Sequence, residues 1–344
     1  MRDLVVAGGG PVGLITALYA ARAGLDVVVR EPRVGVIDKA CGEGLMPGAV
    51  SALDDLGVPV EGRVLAGIRY LDGRRSVDAR FRGGEGRGVR RTTLHAALLD
   101  AVAAAGVAVE HAPVTRLEQQ EDRVVADGET ARYLVAADGL HSPLRRMLGF
   151  DRPARSSRRF GLRCHFPLAP WSDLVEVHWS RHSEAYVTPV ADDLVGVAVL
   201  GAPGQGLSQA LSEFPALLHR LKETDPTRVR GAGPLRQRSR RRVAGRVLLV
   251  GDAAGYVDAL TGEGIAAGAA QAEAAVRAVL AGDPDRYEAD WRRLTWRHDL
   301  VTHALLGATR LPVIRRALVP AAARAPWVFE AAVDQLARPS RVPV

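Results

Sequence analysis

The chain opens on a continuous apolar run, Leu4-Val5-Val6-Ala7, which predicts a strand buried on both faces. Pro11 follows at a helix start, where its missing N–H costs nothing, and Leu14, Ala17, Leu18 and Ala21 recur at helical spacing until Gly24 ends the run. Leu25-Asp26-Val27-Val28-Val29 predicts the next strand. Strand, helix and strand within about 30 residues predict one βαβ unit and a parallel sheet.

From residue 63 to 81 apolar and polar positions alternate around Asp72-Gly73, the pattern of a hairpin. Helical spacing returns over 93–105, and 107–110, 123–125 and 133–137 predict further strands. Short β runs at 160–166, 175–179, 185–189 and 194–200 have the spacing of an antiparallel sheet inserted between two parts of the first domain. That domain resumes at 246–250, and a helix follows over 265–280. After Asp283 the pattern is helical and arginine-rich, interrupted by Pro312, Pro320 and Pro326. The expected fold class is α/β: a Rossmann-like dinucleotide-binding domain, an inserted antiparallel-sheet substrate domain and C-terminal helices. The first comprises 1–62, 82–150 and 243–284, the second 63–81 and 151–242, and the helical segment 285–344.

Length and composition fit a globular chain of about two domains, with 344 residues and 47% hydrophobic content. The formal net charge of +7 is carried almost wholly by arginine, since Lys39 and Lys222 are the only lysines. Charge this dispersed does not make a nucleic-acid face, and the arginine run at 236–242 leads directly into a strand; no nucleic-acid partner is expected. Cys41 and Cys164 stand far apart, so neither a metal site nor a disulfide framework is expected, and a reducing cytoplasm fits. Met1-Arg2-Asp3 leaves no room for a signal peptide before the first strand, and no uncharged apolar run of roughly 18 residues predicts a spanning helix.

Three segments carry candidate chemistry. Gly8-x-Gly10-x-x-Gly13 joins the first strand to the first helix, with Pro11 and Val12 at the helix start and Glu31 after the next strand. The glycines allow close approach of a pyrophosphate to the helix N-terminus, and Glu31 can accept from ribose hydroxyls. An ordinary glycine turn would read the same. The second segment, Asp138-Gly139-Leu140-His141-Ser142-Pro143-Leu144-Arg145, puts a carboxylate at a strand end, where open α/β sheets bind ligands; a capped helix start is its plainer reading. The third, about 240 residues after the first, is Gly251-Asp252 followed by Leu260-Thr261-Gly262-Glu263-Gly264-Ile265. Asp252 suits ribityl hydroxyls, and a helix N-terminus at a flavin's pyrimidine edge would stabilise the charge of the reduced ring. A chain that brings both ends to one dinucleotide is expected to hold FAD rather than NAD.

In this order and spacing the segments resemble the FAD-dependent enzymes of the para-hydroxybenzoate hydroxylase superfamily, over about residues 1–285. Group A flavoprotein monooxygenases, flavin-dependent halogenases and geranylgeranyl reductases belong to it. The resemblance implies FAD as cofactor and NAD(P)H as a transient co-substrate. It implies FAD-binding roles for Gly8, Gly10, Pro11, Val12, Gly13, Glu31, Val114, Asp138, Gly251, Asp252, Gly262, Gly264 and Ile265, and for Arg91 of Arg91-Thr92-Thr93-Leu94. Cys41-Gly42-Glu43-Gly44-Leu45 and 260–265 resemble the geranylgeranyl reductase branch and would bring Cys41 and Glu43 near the isoalloxazine. The W-x-W-x-I-P run of halogenases is absent, whereas Asp138-Gly139 with Arg145 matches the monooxygenases. The leading expectation is a hydroxylase of secondary metabolism that uses NAD(P)H and O2 on an apolar aromatic or polyketide-like small molecule. One alternative is a reductase of prenyl or polyene carbon–carbon double bonds; another is a non-catalytic flavin- or nucleic-acid-binding protein.

In the insert, Arg163 and His165 share one strand face, as do Glu176 and His178. His165, His178 and Tyr186 are candidates to orient or deprotonate a substrate hydroxyl, against the plainer reading of satisfied sheet residues. Gly201-x-x-Gly204-x-Gly206 imitates a second dinucleotide turn with the wrong spacing. Near the C-terminus, Trp291, Trp296, Leu305, Leu306, Leu311, Val313 and Ile314 are interleaved with Arg310, Arg315 and Arg316. A basic amphipathic helix suits peripheral contact with a membrane; an outer helix packed on the substrate domain is the ordinary reading.

Overall fold

The first strand, Arg2–Ala7, lies inside an eight-stranded sheet in the computed structural model, which describes residues 1–153, 159–260 and 262–337. Glu129–Ala136 and Val27–Arg30 flank it, with Val247–Leu249 and Ala108–Glu110 beyond, and these four pairings are all parallel. Strands covered on both faces need apolar side chains at every position, which is why Leu4, Val5, Val6, Leu134 and Val135 form runs and are 0% exposed. Leu117–Gln119 and Val124–Ala126 add an antiparallel meander to Glu129–Ala136. Helix Pro11–Arg22 crosses from the first strand to the second, and Gly24 reverses the chain behind it at φ 78°. Helix Gly264–Leu280 packs against it closely: a Cβ on Gly268 would sit 2.4 Å from Val12 Cγ2. The missing side chain therefore lets the two helix starts converge. Helix Arg91–Ala104 begins two residues ahead of the expected 93, so Arg91 stands in its first turn.

A second sheet of seven strands runs in the order Arg230–Ala232, Phe160–Phe166, Leu194–Gly201, Glu184–Ala191, Leu174–Trp179, Gly67–Leu71, Ser76–Arg80. It corrects the all-antiparallel expectation at one junction, because Leu174–Trp179 pairs in parallel with Gly67–Leu71. These two strands come from distant stretches of chain, so no hairpin dictates their direction. Arg63–Leu65, read from sequence with the hairpin, pairs instead with Gly86–Gly88, which also receives Gly44–Leu45.

Helices Arg286–Thr309, Pro312–Arg324 and Pro326–Ala337 follow. Val319, Phe329 and Val333 are buried from their inner side against Val77, Ala79, Val175, Val177 and Trp179, so this segment packs over the second sheet. Trp291 is buried beneath the Arg242 guanidinium, 3.5 Å from its ring centroid. Among the described residues no helix is long and apolar enough to cross a membrane. Both cysteines are free. Residues 154–158, Thr261 and 338–344, which the sequence reading placed in the insert, the third motif and the C-terminal segment, lie outside the described residues.

Candidate functional site

The three motifs converge because of what their glycines lack. A Cβ on Gly13 would fall 1.8 Å from Gly8 O, and one on Gly8 2.5 Å from Ala137 O. These two positions therefore press the first turn onto the strand end that carries Asp138. Gly10 and Gly264 differ: a Cβ there would meet nothing within 4 Å. Each stands at the start of a helix whose N-cap makes no side-chain hydrogen bond, so free N–H groups of two helices face open space. Gly251, at φ 59°, turns the chain beneath Val12.

Arg145 joins the second motif to the third. Its guanidinium is fully buried and donates to Asp252 O at 3.2 Å, Ala253 O at 3.1 Å and Leu140 O at 3.1 Å. It also donates to Gln237 Oε1 at 3.0 Å and Asp151 Oδ1 at 2.9 Å. Sequence reading saw this arginine as part of a helix start. The structure makes it a brace under the Gly251–Ala253 turn.

One cavity of about 280 Å3 runs from these motifs to the second sheet. At the motif end it is lined by Gly10, Pro11, Val12, Arg91, Asp252, Gly262, Gly264 and Ile265. The Arg91 Nε is buried with no hydrogen-bond partner, and burial lowers the pKa of its guanidinium. A cation kept this way, beside two open helix N-termini, fits the diphosphate of FAD. Burial likewise pushes the Asp252 carboxyl up, against the pull of Lys39, Arg91 and Arg145. FAD would be held there by Gly10, Pro11, Val12, Arg91, Asp252, Gly264 and Ile265.

Several expected cofactor residues stand behind the wall rather than in it. Asp138 Oδ2 accepts from Leu144 N at 3.0 Å, capping the helix Pro143–Met147, while its Oδ1 is buried and unpaired; burial raises its pKa. Glu31 accepts from Gly9 N at 2.9 Å and from Arg33 Nε at 2.7 Å. Burial opposes its ionisation, but these bonds outweigh it and hold the carboxyl below its usual range. Val114 is half-buried and packs against the core of the first domain. Gly8, Gly13 and Gly251 shape the cradle by packing.

The other end of the cavity is apolar. Ile68, Val175, Val177, Leu200, Leu260 and Val333 line it, with the rings of Tyr70, Tyr186 and Tyr256. Between the two ends lies the loop bearing Cys41, stitched to the second sheet. Thr188 Oγ1 donates to Gly42 O at 2.8 Å, Arg163 Nη2 donates to Lys39 O at 3.2 Å, and Arg163 pairs with Asp38. Arg230 Nε adds a bond to Asp38 Oδ2 at 3.0 Å. Glu43 sits at φ 60°, a conformation side chains rarely adopt, and is held there from both sides. Its Oε1 accepts from Arg91 N at 2.9 Å and its Oε2 from His165 Nε2 at 2.7 Å. A Cβ on Gly196 would come within 2.9 Å of that same Oε2, so glycine leaves the carboxylate its place.

Cys41 and Glu43 therefore line the cavity, and so does Tyr186, whose hydroxyl donates to Leu260 O at 3.2 Å. His165 is buried behind Glu43, outside the lining. His178 bonds Glu176 at 3.1 Å and is likewise outside it. Burial pushes the Cys41 thiol up, and pushes the Tyr186 hydroxyl well up. The run Gly201–Gly206 opens only a five-residue helix, Leu207–Leu211, packed on the other face of the sheet with Val197 and Val199. Sequence reasoning missed Lys39, Arg163, Tyr256 and Val333 as lining residues. Only Arg163, paired on a strand face with His165, left a trace in the pattern.

The cavity-side residues 256–260 and 262–263 are clamped from the C-terminal helices. His298 pairs with Glu263, and Arg315 with Glu184 at 2.7 Å. Glu184 also pairs with Arg159, which lies 3.6 Å from Asp258. Burial pushes the Asp258 carboxyl up to about 6, with Arg159 opposing.

A family described as "FAD binding domain" matches residues 1–282. The chain is 30% identical to the menaquinone reductase of Mycolicibacterium smegmatis over 86% of its own length and 80% of the relative's. It is 35% identical to the menaquinone reductase of Mycobacterium tuberculosis, where the match spans 43% of this chain and 40% of that protein. Digeranylgeranylglycerophospholipid reductase 1 of Methanopyrus kandleri is 29% identical over 84% of this chain and 85% of the relative. Among solved structures, p-nitrophenol 4-monooxygenase of Pseudomonas putida superposes with a TM-score of 0.78 at 20% identity, covering 98% of this chain and 95% of the other.

Proposed function

The chain belongs to the FAD-binding-domain family of FAD-dependent oxidoreductases, which includes reductases and monooxygenases, and from that premise we propose that it reduces carbon–carbon double bonds in an apolar, prenyl-type substrate. In this reading 1–62, 82–150 and 243–284 hold FAD, and 63–81 with 151–242 and the C-terminal helices enclose the substrate.

The observation that carries the reading is that, among the described residues, no histidine or carboxylate lines the apolar end. A phenol hydroxylase gains from a group that takes the phenol's proton. Here His165 is committed to Glu43, His178 to Glu176, and the Tyr186 hydroxyl to Leu260 O. Double-bond saturation needs an electron pair and two protons, added as a hydride and a proton, and an apolar wall for the chain. FAD, when bound, supplies the two-electron carrier between NAD(P)H and substrate. The chain's own residues do the rest. Cys41, its thiol kept protonated by burial, holds a proton at Sγ between the cofactor end and the apolar end. Glu43 and Thr188 fix the loop that presents it. Ile68, Val177 and Val333 exclude water from the chain's path. The reductases similar to this chain across most of its length agree in substrate class by their names.

The second reading is the hydroxylase that uses NAD(P)H and O2. Its support is the ring of Tyr70, Tyr186 and Tyr256, which would stack on a flat aromatic or polyketide-like substrate. One experiment separates the two. Holoprotein with NAD(P)H is given a polyprenyl quinone or geranylgeranyl lipid without oxygen, and the product mass is measured. A gain of two hydrogens per turnover is expected. A product that forms only in air and carries one oxygen atom would overturn the reductase reading.

A further inference from the structure

We propose that the outward face of the last two helices, Pro312–Arg324 and Pro326–Ala337, seats the protein on the surface of an anionic lipid bilayer. Residues 310–329 contain no aspartate or glutamate and four arginines. Arg315 turns inward, where it donates to Ser183 O at 2.7 Å and pairs with Glu184. The other three, Arg310, Arg316 and Arg324, are exposed and make no ion pair among the described residues. A stretch of surface with three unneutralised cations and no anion of its own is complementary to an acidic headgroup layer.

The same stretch exposes large apolar side chains. Val313 is 79% exposed and Trp327 73%, and Leu311, Val328 and Ile314 are 56%, 48% and 40% exposed. Tryptophan and aliphatic side chains set among arginines are the composition of a helix lying in a headgroup region. A second copy of the chain fits this face poorly, because a two-fold contact would set arginine against arginine with no acid between them. Nucleic acid would use the arginines but leave the exposed aliphatic side chains without a partner.

The inner side of these helices gives the docking a purpose. Phe329 and Val333 follow Trp327 by two and six residues on the same helix but are buried in the apolar cluster, and Val333 lines the cavity. The element that meets the lipid is thus the element that walls the substrate's chamber. An apolar chain dissolved in the bilayer would have a short path into the cavity without crossing water.

The test uses FAD-loaded full-length protein and sedimentation with extruded vesicles, made either of phosphatidylcholine alone or of equal parts phosphatidylcholine and phosphatidylglycerol. Partition needs no turnover, so the result stands apart from the choice between reductase and hydroxylase. Binding to the anionic vesicles is expected, with weak binding to the neutral ones and release at high salt. The double variants V313E/W327E and R316E/R324E each lower partition about tenfold or more, since one nearby arginine multiplies it about fivefold. Unchanged flavin absorbance in both variants shows that the cradle is intact. Three results overturn the proposal. The first is no partition onto anionic vesicles, and the second is partition indifferent to both variants. The third is a wild-type dimer that V313E/W327E splits into monomers, which would make this face a self-interface.

Discussion

Replacing Arg145 with methionine removes the brace between two cofactor motifs while keeping a side chain of comparable reach. Two buried backbone carbonyls, those of Leu140 and Ala253, then lose their donor, while Asp252 O keeps the N–H of Gly255 at 3.3 Å. Each buried carbonyl left unpaired costs about 1–3 kcal/mol. Asp151, whose side chain is 44% exposed, recovers its loss from water. For the two carbonyls the total is roughly 2–6 kcal/mol, against a stability of about 5–15 kcal/mol for a native domain. Part of that loss is recovered if the Gly251–Ala253 turn swings out to solvent, and that movement carries Asp252 out of the cavity. R145M is therefore expected to unfold at markedly lower urea and to bind FAD at least about tenfold more weakly. Lysine at this position keeps the charge but not the five-donor fork, and falls between. Urea unfolding followed by tryptophan fluorescence, with and without added FAD, measures both quantities. An R145M protein that unfolds within about 1 kcal/mol of wild type and binds FAD as tightly would refute the bracing argument.

Further outcomes follow from the same geometry. G10A is expected to keep the wild-type melting temperature and to lose FAD affinity, whereas G13A loses both, because only the second Cβ collides with backbone; thermal melts of apo- and holoprotein separate them. Asp258 has its folded pKa raised to about 6, so the stability it contributes is fully present below its unfolded value and is lost as pH rises through about 6. D258N should remove that slope and gain on wild type above pH 6, and matching urea midpoints at every pH would contradict it. The Cys41 thiol, pushed up by burial, should react with iodoacetamide far more slowly at neutral pH than a free thiol; rapid alkylation would rule out the proton-holding role.

Much of the architecture is readable from local pattern. Strands covered on both faces must be apolar throughout, so Leu4–Ala7 and Val27–Val29 declare themselves, and the turn between them tolerates only glycine at Gly8 and Gly13. The motif ends of the cavity were legible for the same reason. What escaped depends on which distant segments meet. No local signal sets Leu174–Trp179 parallel to Gly67–Leu71. Nor does one announce that Glu43 is locked at positive φ by His165, or that Asp138 spends its carboxylate on a helix cap. Arg145 was noticed for its place in a motif, but three of its five acceptors are backbone carbonyls, which all residues share and no sequence can flag.

Val333 reaches the chamber from a helix that takes no part in the cradle. The depth available to a substrate is thereby decoupled from the grip on the nucleotide. Under the proposed reading, shrinking or enlarging one side chain on a peripheral helix would lengthen or shorten the accepted tail, as moving a stop along a ruler does, without touching the cradle. Related chains could diversify the molecules they accept by editing that helix alone.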